Sequence, residues 1–148
     1  MPRPAIAASL LCLACTTQAQ PNDYDFDFVT ITHPGNPSFE RRADPNTFGR
    51  GSVGYEYRMA RSEISTAQWM EFANALATRG NAWTSGIAPS RWGAVFTNPG
   101  GNLQFRLNPL LPDAGQVPVG GIAPTQAAMF CSWLHNGKQI DDASLTTG

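Results

Sequence analysis

The sequence has few charged residues and no long hydrophobic run. Only 14% of its 148 residues are charged, and the formal net charge is −1, so no basic surface is available for nucleic acid or an anionic membrane. We expect neither partner. An apolar run covers residues 5–15, roughly half of the ~20 residues that a membrane-spanning helix needs. No membrane span is therefore expected.

Cysteine is also scarce, and two of the three cysteines lie near the N-terminus. That stretch has a positive start at Arg3, the short apolar run, and small residues up to Ala19, which is typical of a secretory signal peptide at residues 1–19. A lipoprotein signal with an acylated Cys15 is the alternative. Either signal places residues 20–148 outside the cytoplasm, as a secreted or periplasmic domain. Cleavage would leave Cys131 alone, so no internal disulfide is expected.

The sequence contains no familiar catalytic or metal-binding motif. It has no Ser-His-Asp order. The GxGxxG spacing of residues 49–54 leads into a predicted strand rather than into the helix of a phosphate-binding loop, and the CxxC spacing of Cys12 and Cys15 lies in the predicted signal peptide. His33 and His135 are about a hundred positions apart, and neither has the surrounding ligand spacing of a metal template. Asp23, Asp25 and Asp27 alternate, but without the glycine and final glutamate of a calcium loop. We therefore predict no catalytic, cofactor-binding or metal-binding residues in this chain.

The clearest local pattern is at residues 51–80, where a strand runs directly into a helix. Tyr55, Tyr57 and Met59 alternate with other residues, which predicts a strand with these three side chains on its buried face. Ser65 and Gln68 have the spacing of a capping box, so the helix should begin just after Ser65.

The helix that follows is predicted to be amphipathic. Ile64 precedes the cap and is placed to pack on Trp69 as a hydrophobic staple. Gly80 is expected to end the helix as its C′ residue. The residues that recur at helical spacing and form one buried stripe are Trp69, Phe72, Ala73 and Leu76.

Three further elements are predicted on either side of this junction. Residues 26–31 should form a first strand with Phe26 and Phe28 on one face, and residues 103–107 a short later strand. A second helix is expected at residues 125–136, ended by Asn136 and Gly137. Its predicted buried stripe consists of Ala127, Phe130, Cys131 and Leu134. The Cys131 thiol is accordingly expected to be buried and inert, because buried cysteine behaves as a small hydrophobic residue.

Three further sets of residues could carry either a structural or a functional role. Glu63 stands beside the helix start, where pairing with Arg58 or Arg61, or simple exposure, is favoured over catalysis. Asp141 and Asp142 are interpreted as a solvated loop. The four tryptophans would allow a sugar-stacking surface, but Trp69 and Trp133 fall on or beside the helix stripes and are more simply explained as core residues. The four tryptophans are Trp69, Trp83, Trp92 and Trp133.

Two stretches together resemble the formylglycine-generating enzyme, or sulfatase-modifying factor, family. Residues 53–59 (VGYEYRM) and 63–69 (EISTAQW) are similar to the family's strand of tyrosine, basic and apolar residues followed by Glu-Val-Thr-Asn-x-Gln-Tyr. Residues 117–119 (VPV) and 127–134 (AAMFCSWL) resemble Pro-Val-x-x-Val-Ser-Trp-x-Asp-Ala-x-x-Tyr/Phe-Cys-x-Trp, with Cys131 and Trp133 in register. The sequence departs from this pattern at residues 122–124, where Val-Ser-Trp is usual, and at Gln126, where aspartate is usual.

This resemblance implies an α+β fold of the C-type-lectin-like kind, with two helices on a twisted, mainly antiparallel sheet and many ordered loops. Family enzymes use a cysteine pair near the end of the domain to bind copper and to oxidise a sulfatase cysteine to formylglycine. That pair is not in this chain, and copper and calcium are implied only for the other half of the domain. We expect residues 20–148 to be an incomplete, N-terminal part of such a domain. The alternative is a non-catalytic extracellular domain that binds a protein, a peptide or another ligand, or serves as a scaffold.

Overall fold

The computed structural model describes residues 24–40, 46, 48–80, 84, 86–101 and 103–146. The predicted signal peptide at residues 1–19, together with Trp83, lies outside these residues. Within them the chain is α+β and rich in loops. Its strands are β1 (Phe28–Ile31), β2 (Tyr57–Ala60), β3 (Ala94–Thr97) and β4 (Gln104–Leu107), and its helices are α1 (Thr66–Ala77), α2 (Pro124–His135) and α3 (Asp142–Thr146).

The strands form two separate antiparallel pairs among the described residues. β1 pairs with β2, with Phe28 opposite Ala60, and β3 pairs with β4, with Ala94 opposite Leu107. The resemblance predicted one twisted sheet, so this part of the expectation is not met. A two-stranded sheet is marginal alone and needs a helix to pack against. For β4 that helix is α1, since the side-chain amide of Asn74 bonds both the N–H and the C=O of Phe105 (2.8 and 3.0 Å).

The start of α1 is as predicted. Gln68 donates its backbone N–H to Ser65 Oγ (3.4 Å), and Ser65 donates its own backbone N–H to Gln68 Oε1 (3.0 Å), which completes the capping box. Ile64 packs against the core that contains the helix. The helix ends at Ala77 with Thr78 as its cap, so the C′ residue is Arg79. Gly80, at φ 100°, lies one residue beyond it, and its prediction as the C′ residue is wrong by one position.

Aromatic side chains from α1 and α2 form the core. Trp69 and Phe72 are fully buried, and both contact Phe130, with ring centroids 5.2 and 5.3 Å apart. Trp133 packs on Phe72 at 5.2 Å. These separations are those of favourable aromatic pairs, so the two helices pack directly on each other. The predicted stripe of α1 and the core positions of Trp69 and Trp133 are confirmed.

The second helix has the predicted bounds to within one residue, and its buried face is as predicted only in part: Phe130 is buried and Leu134 packs against the core. Phe130 and Trp133 are its buried residues, whereas Cys131 is exposed. The prediction that Cys131 is buried is therefore wrong. Trp133, three positions from Phe130, lies on the same side of the helix and packs there on Phe72. Cys131 is one position from Phe130 and is therefore turned about 100° away from it.

Two elements were not predicted, and one strand face was assigned wrongly. β3 contains Val95 and Phe96, for which no strand was predicted. α3 replaces the predicted solvated loop, because Asp141 accepts the backbone N–H and the hydroxyl of Ser144 (3.0 and 2.6 Å). These two bonds lower the pKa of Asp141. Tyr55 lies before β2 and is 69% exposed, and Met59 within β2 is 51% exposed, since alternation shows which side chains share a face but not which face is covered.

One buried hydroxyl ties the start of α1 to two loops. Thr66 is fully buried; its Oγ1 donates to the carbonyl of Val117 (2.7 Å) and accepts the backbone N–H of Gly93 (2.7 Å). Gly93 approaches so closely that a Cβ there would lie 2.1 Å from the carbonyl oxygen of Ala114. No side chain fits between these two backbones.

Replacing Ser65 by alanine should lower the free energy of unfolding by ~1 kcal/mol, because the first turn loses its capping acceptor. Urea unfolding followed by far-UV circular dichroism measures the change. Ser52→Ala, in an exposed loop, is the matched control and should leave stability unchanged. Equal stability of the two variants would show that the cap does not stabilise α1.

Replacing Gly93 by alanine should destabilise the fold by about 1–3 kcal/mol, the usual cost of forcing extra atoms into a packed site. Gly54→Ala is the control, because nothing lies within 4 Å of its added Cβ; its effect should stay within about 1 kcal/mol. Thermal unfolding of both variants gives the comparison. A Gly93→Ala protein as stable as the Gly54→Ala protein would contradict the close approach to Ala114.

Candidate ligand cleft

An open cleft of about 600 Å³ lies between the β1–β2 sheet and the exposed face of α2. Its volume falls within the range of small-molecule sites, which are mostly apolar with a few polar groups. One wall carries aromatic rings together with Glu56 and Arg58. The other is the helix surface, with Cys131, Ser132 and His135. The cleft therefore has the size and composition of a ligand site.

The strand wall is anchored to the core through phenylalanines. Phe26 stacks on Phe28 (5.4 Å between centroids) and meets Phe130 edge-on (6.1 Å). The guanidinium carbon of Arg58 lies 4.4 Å from the centroid of the Phe28 ring, within the range of a cation–π contact. A positive charge is thus held against an aromatic surface at this wall.

Lys138 contacts Tyr24, one of the residues that line the cleft. Its ammonium lies 4.7 Å from the ring of Tyr24 and 5.2 Å from the ring of Trp133. The same ammonium pairs with both carboxylate oxygens of Glu71, at 2.7 and 2.8 Å. Lys138 thereby links α1 and the end of α2 to the tyrosine that lines the cleft.

Cys131 and His135 are the chemically reactive groups of the helix wall. Cys131 is exposed, yet partial burial of its thiol in the cleft raises its pKa. The thiol therefore stays protonated at neutral pH, whereas a cysteine nucleophile needs a lowered pKa. The raised pKa of the thiol does not favour covalent catalysis by Cys131.

The other residues considered from the sequence do not join this cleft. Glu63 is exposed, which is one of its predicted states, and Arg61 pairs with Asp27 at 3.2 Å. His33 is exposed in the segment after β1. Among the described residues, no group of three or more histidine, cysteine, aspartate or glutamate side chains is arranged to hold a metal. In the same part of the chain, no helix has both the length and the apolar character needed to cross a membrane.

The sequence contained one signal for this site that the motif search missed. Cys131 and His135 are four residues apart on a helix, a spacing that places two side chains on the same face. The opposite wall had no such signal. Tyr24 and Arg58 reach the cleft only because distant segments pack together.

Comparison of the chain with protein-family models, with curated proteins and with solved structures finds no match. The cleft and its chemistry are therefore interpreted from this chain alone.

The raised pKa predicts slow alkylation of Cys131. In a Cys12→Ser/Cys15→Ser background, its reaction with iodoacetamide at pH 7.5 should be slower in the folded chain than in the same chain in urea, because the folded protein holds the thiol protonated. The pH midpoint of the folded rate should lie above the ordinary cysteine value. Mass spectrometry of quenched samples measures both rates. Faster reaction in the folded state would indicate an activated thiolate and overturn this interpretation.

Proposed function

We propose that this chain is the N-terminal, non-catalytic part of a secreted domain of the formylglycine-generating-enzyme type. The observation that carries the proposal is the meeting of the two stretches on which the resemblance rests. Thr66 donates its backbone N–H to the carbonyl of Val117 (2.8 Å), and Val119 donates to that of Ile64 (2.9 Å). Ser65 and Pro118 stand opposite each other as an antiparallel bridge. Motifs about fifty residues apart thus act as one structural unit.

The role assigned to these residues is structural support for the rest of such a domain. Their chemistry is packing and hydrogen bonding: a capped helix, a buried threonine hydroxyl and aromatic contacts between α1 and α2. The oxidation of a sulfatase cysteine needs a redox cysteine pair, and residues 20–148 contain Cys131 alone. Burial raises the pKa of the Cys131 thiol, so no step of this oxidation is assigned to this chain.

A second candidate is a non-catalytic extracellular ligand-binding domain. The observation that favours it is the cleft of about 600 Å³ with aromatic rings and Arg58 on one wall and polar side chains on the other. A cleft of this kind binds a small molecule or a side chain of a peptide without any redox group. The same fold can carry either role, because function depends on the site and not on the scaffold.

The chain alone should not form formylglycine. Purified protein is incubated with copper, oxygen and a peptide that carries the sulfatase cysteine motif, and the peptide is analysed by mass spectrometry. We expect no product above a protein-free control, and the same result with Cys131→Ser. Formylglycine that appears with this chain and disappears with Cys131→Ser would overturn the non-catalytic assignment.

Reading the coding sequence beyond Gly148 separates the two candidates. Two closely spaced cysteines in the downstream part of the domain would support an oxidase, in which these residues are the scaffold. A continuation without such a pair would favour the ligand-binding domain.

A further inference from the structure

Cys131 and His135 offer two metal-ligating groups on one face of α2. Both residues are exposed, and both line the cleft. Residues four apart on a helix are neighbours, with roughly 5–6 Å between their Cβ atoms. The pair lies on the side of α2 that the aromatic core leaves open. Neither side chain is needed to hold the helix in place.

The chemistry of this pair matches a borderline-soft divalent cation. Zn²⁺ binds a thiolate at about 2.3 Å and an imidazole at about 2.0–2.1 Å, so both side chains can reach one ion placed between them. Two histidines at this same helical spacing supply two zinc ligands in the HExxH motif. A thiolate in place of one imidazole can still bind the same ion, and it adds a negative charge.

The position of the pair along the helix also favours a cation. His135 is in the last turn of α2, where the aligned peptide dipoles give the helix terminus a partial negative charge. Glu56 on the strand wall adds a negatively charged carboxylate to the cleft. Arg58, which lies over the Phe28 ring, is a positive charge on the same wall and acts against cation binding.

We propose that Cys131 and His135 bind one zinc ion at the helix wall of the cleft, with water in the remaining coordination positions. Binding forms one Zn–S and one Zn–N bond, and the thiol proton leaves to solvent; no oxidation state changes. Two protein ligands do not fill the tetrahedral shell of Zn²⁺, so the ion would keep open positions that face the cleft. An occupant with a carboxylate or thiolate could then bind the metal directly.

Cobalt titration tests the site in the full chain. In the Cys12→Ser/Cys15→Ser background, CoCl₂ should produce a near-UV thiolate-to-cobalt charge-transfer band that saturates at one ion per chain, and ZnCl₂ should remove it. Cys131→Ser should abolish the band. His135→Gln should weaken binding roughly 10-fold or more, since even groups behind the ligands contribute about 10–100-fold to metal affinity. His33→Gln, at an exposed histidine after β1, is the matched control and should leave the titration unchanged.

The result has clear opposing outcomes. Absence of the band, an unchanged affinity of His135→Gln, or a band that survives Cys131→Ser would overturn the site. Saturation at one ion per two chains would also overturn it, because the metal would then join two molecules. Far-UV circular dichroism confirms that each variant is folded. The test is independent of the formylglycine assay, because it measures binding in a chain expected to be inactive in that assay.

Discussion

The hydrogen-bonded contact between residues 64–66 and 117–119 is the constraint on which the rest of the structure depends. It joins two parts of the chain that are distant in sequence, and it does so at the first turn of α1. The buried hydroxyl of Thr66 completes it by serving as donor to Val117 and acceptor for Gly93. A buried hydroxyl without partners would cost about 1–3 kcal/mol. Fixing this turn sets the direction of α1 and, through its aromatic side chains, the position of α2.

The cleft follows from how that core is filled. Phe130 and Trp133 turn one side of α2 towards Phe72, so the opposite side must face either solvent or another element. Phe26 brings the β1–β2 sheet against Phe130. In the described part of the chain this sheet has two strands, and it leaves the exposed side of α2 open. The uncovered helix surface and the strand wall together enclose the cleft. Burial of the core and exposure of Cys131 thus have the same cause.

The sequence predicted local structure well and the choice of buried face poorly. The capping box at Ser65 and the stripe of α1 need only neighbours a few residues away, so their patterns are sufficient. The face of α2 was misjudged because Cys131 and Trp133 are both apolar enough to be buried, and the choice depends on Phe72, far away in the chain. α3 was missed because a five-residue helix gives no periodic signal; only the capping aspartate Asp141 marks it.

The same reasoning explains why half of the candidate site was visible in the sequence and half was not. The four-residue spacing of Cys131 and His135 is a local property of one helix, whereas Arg58 and Tyr24 reach the cleft through long-range packing. α2 consequently separates two tasks, since its core side stabilises the domain and its cleft side is free to vary. A substitution at Cys131 would alter the chemistry of the cleft without removing an aromatic contact from the core. This separation makes metal binding at α2 compatible with either proposed function, because neither the scaffold nor the ligand-binding interpretation requires that face for stability.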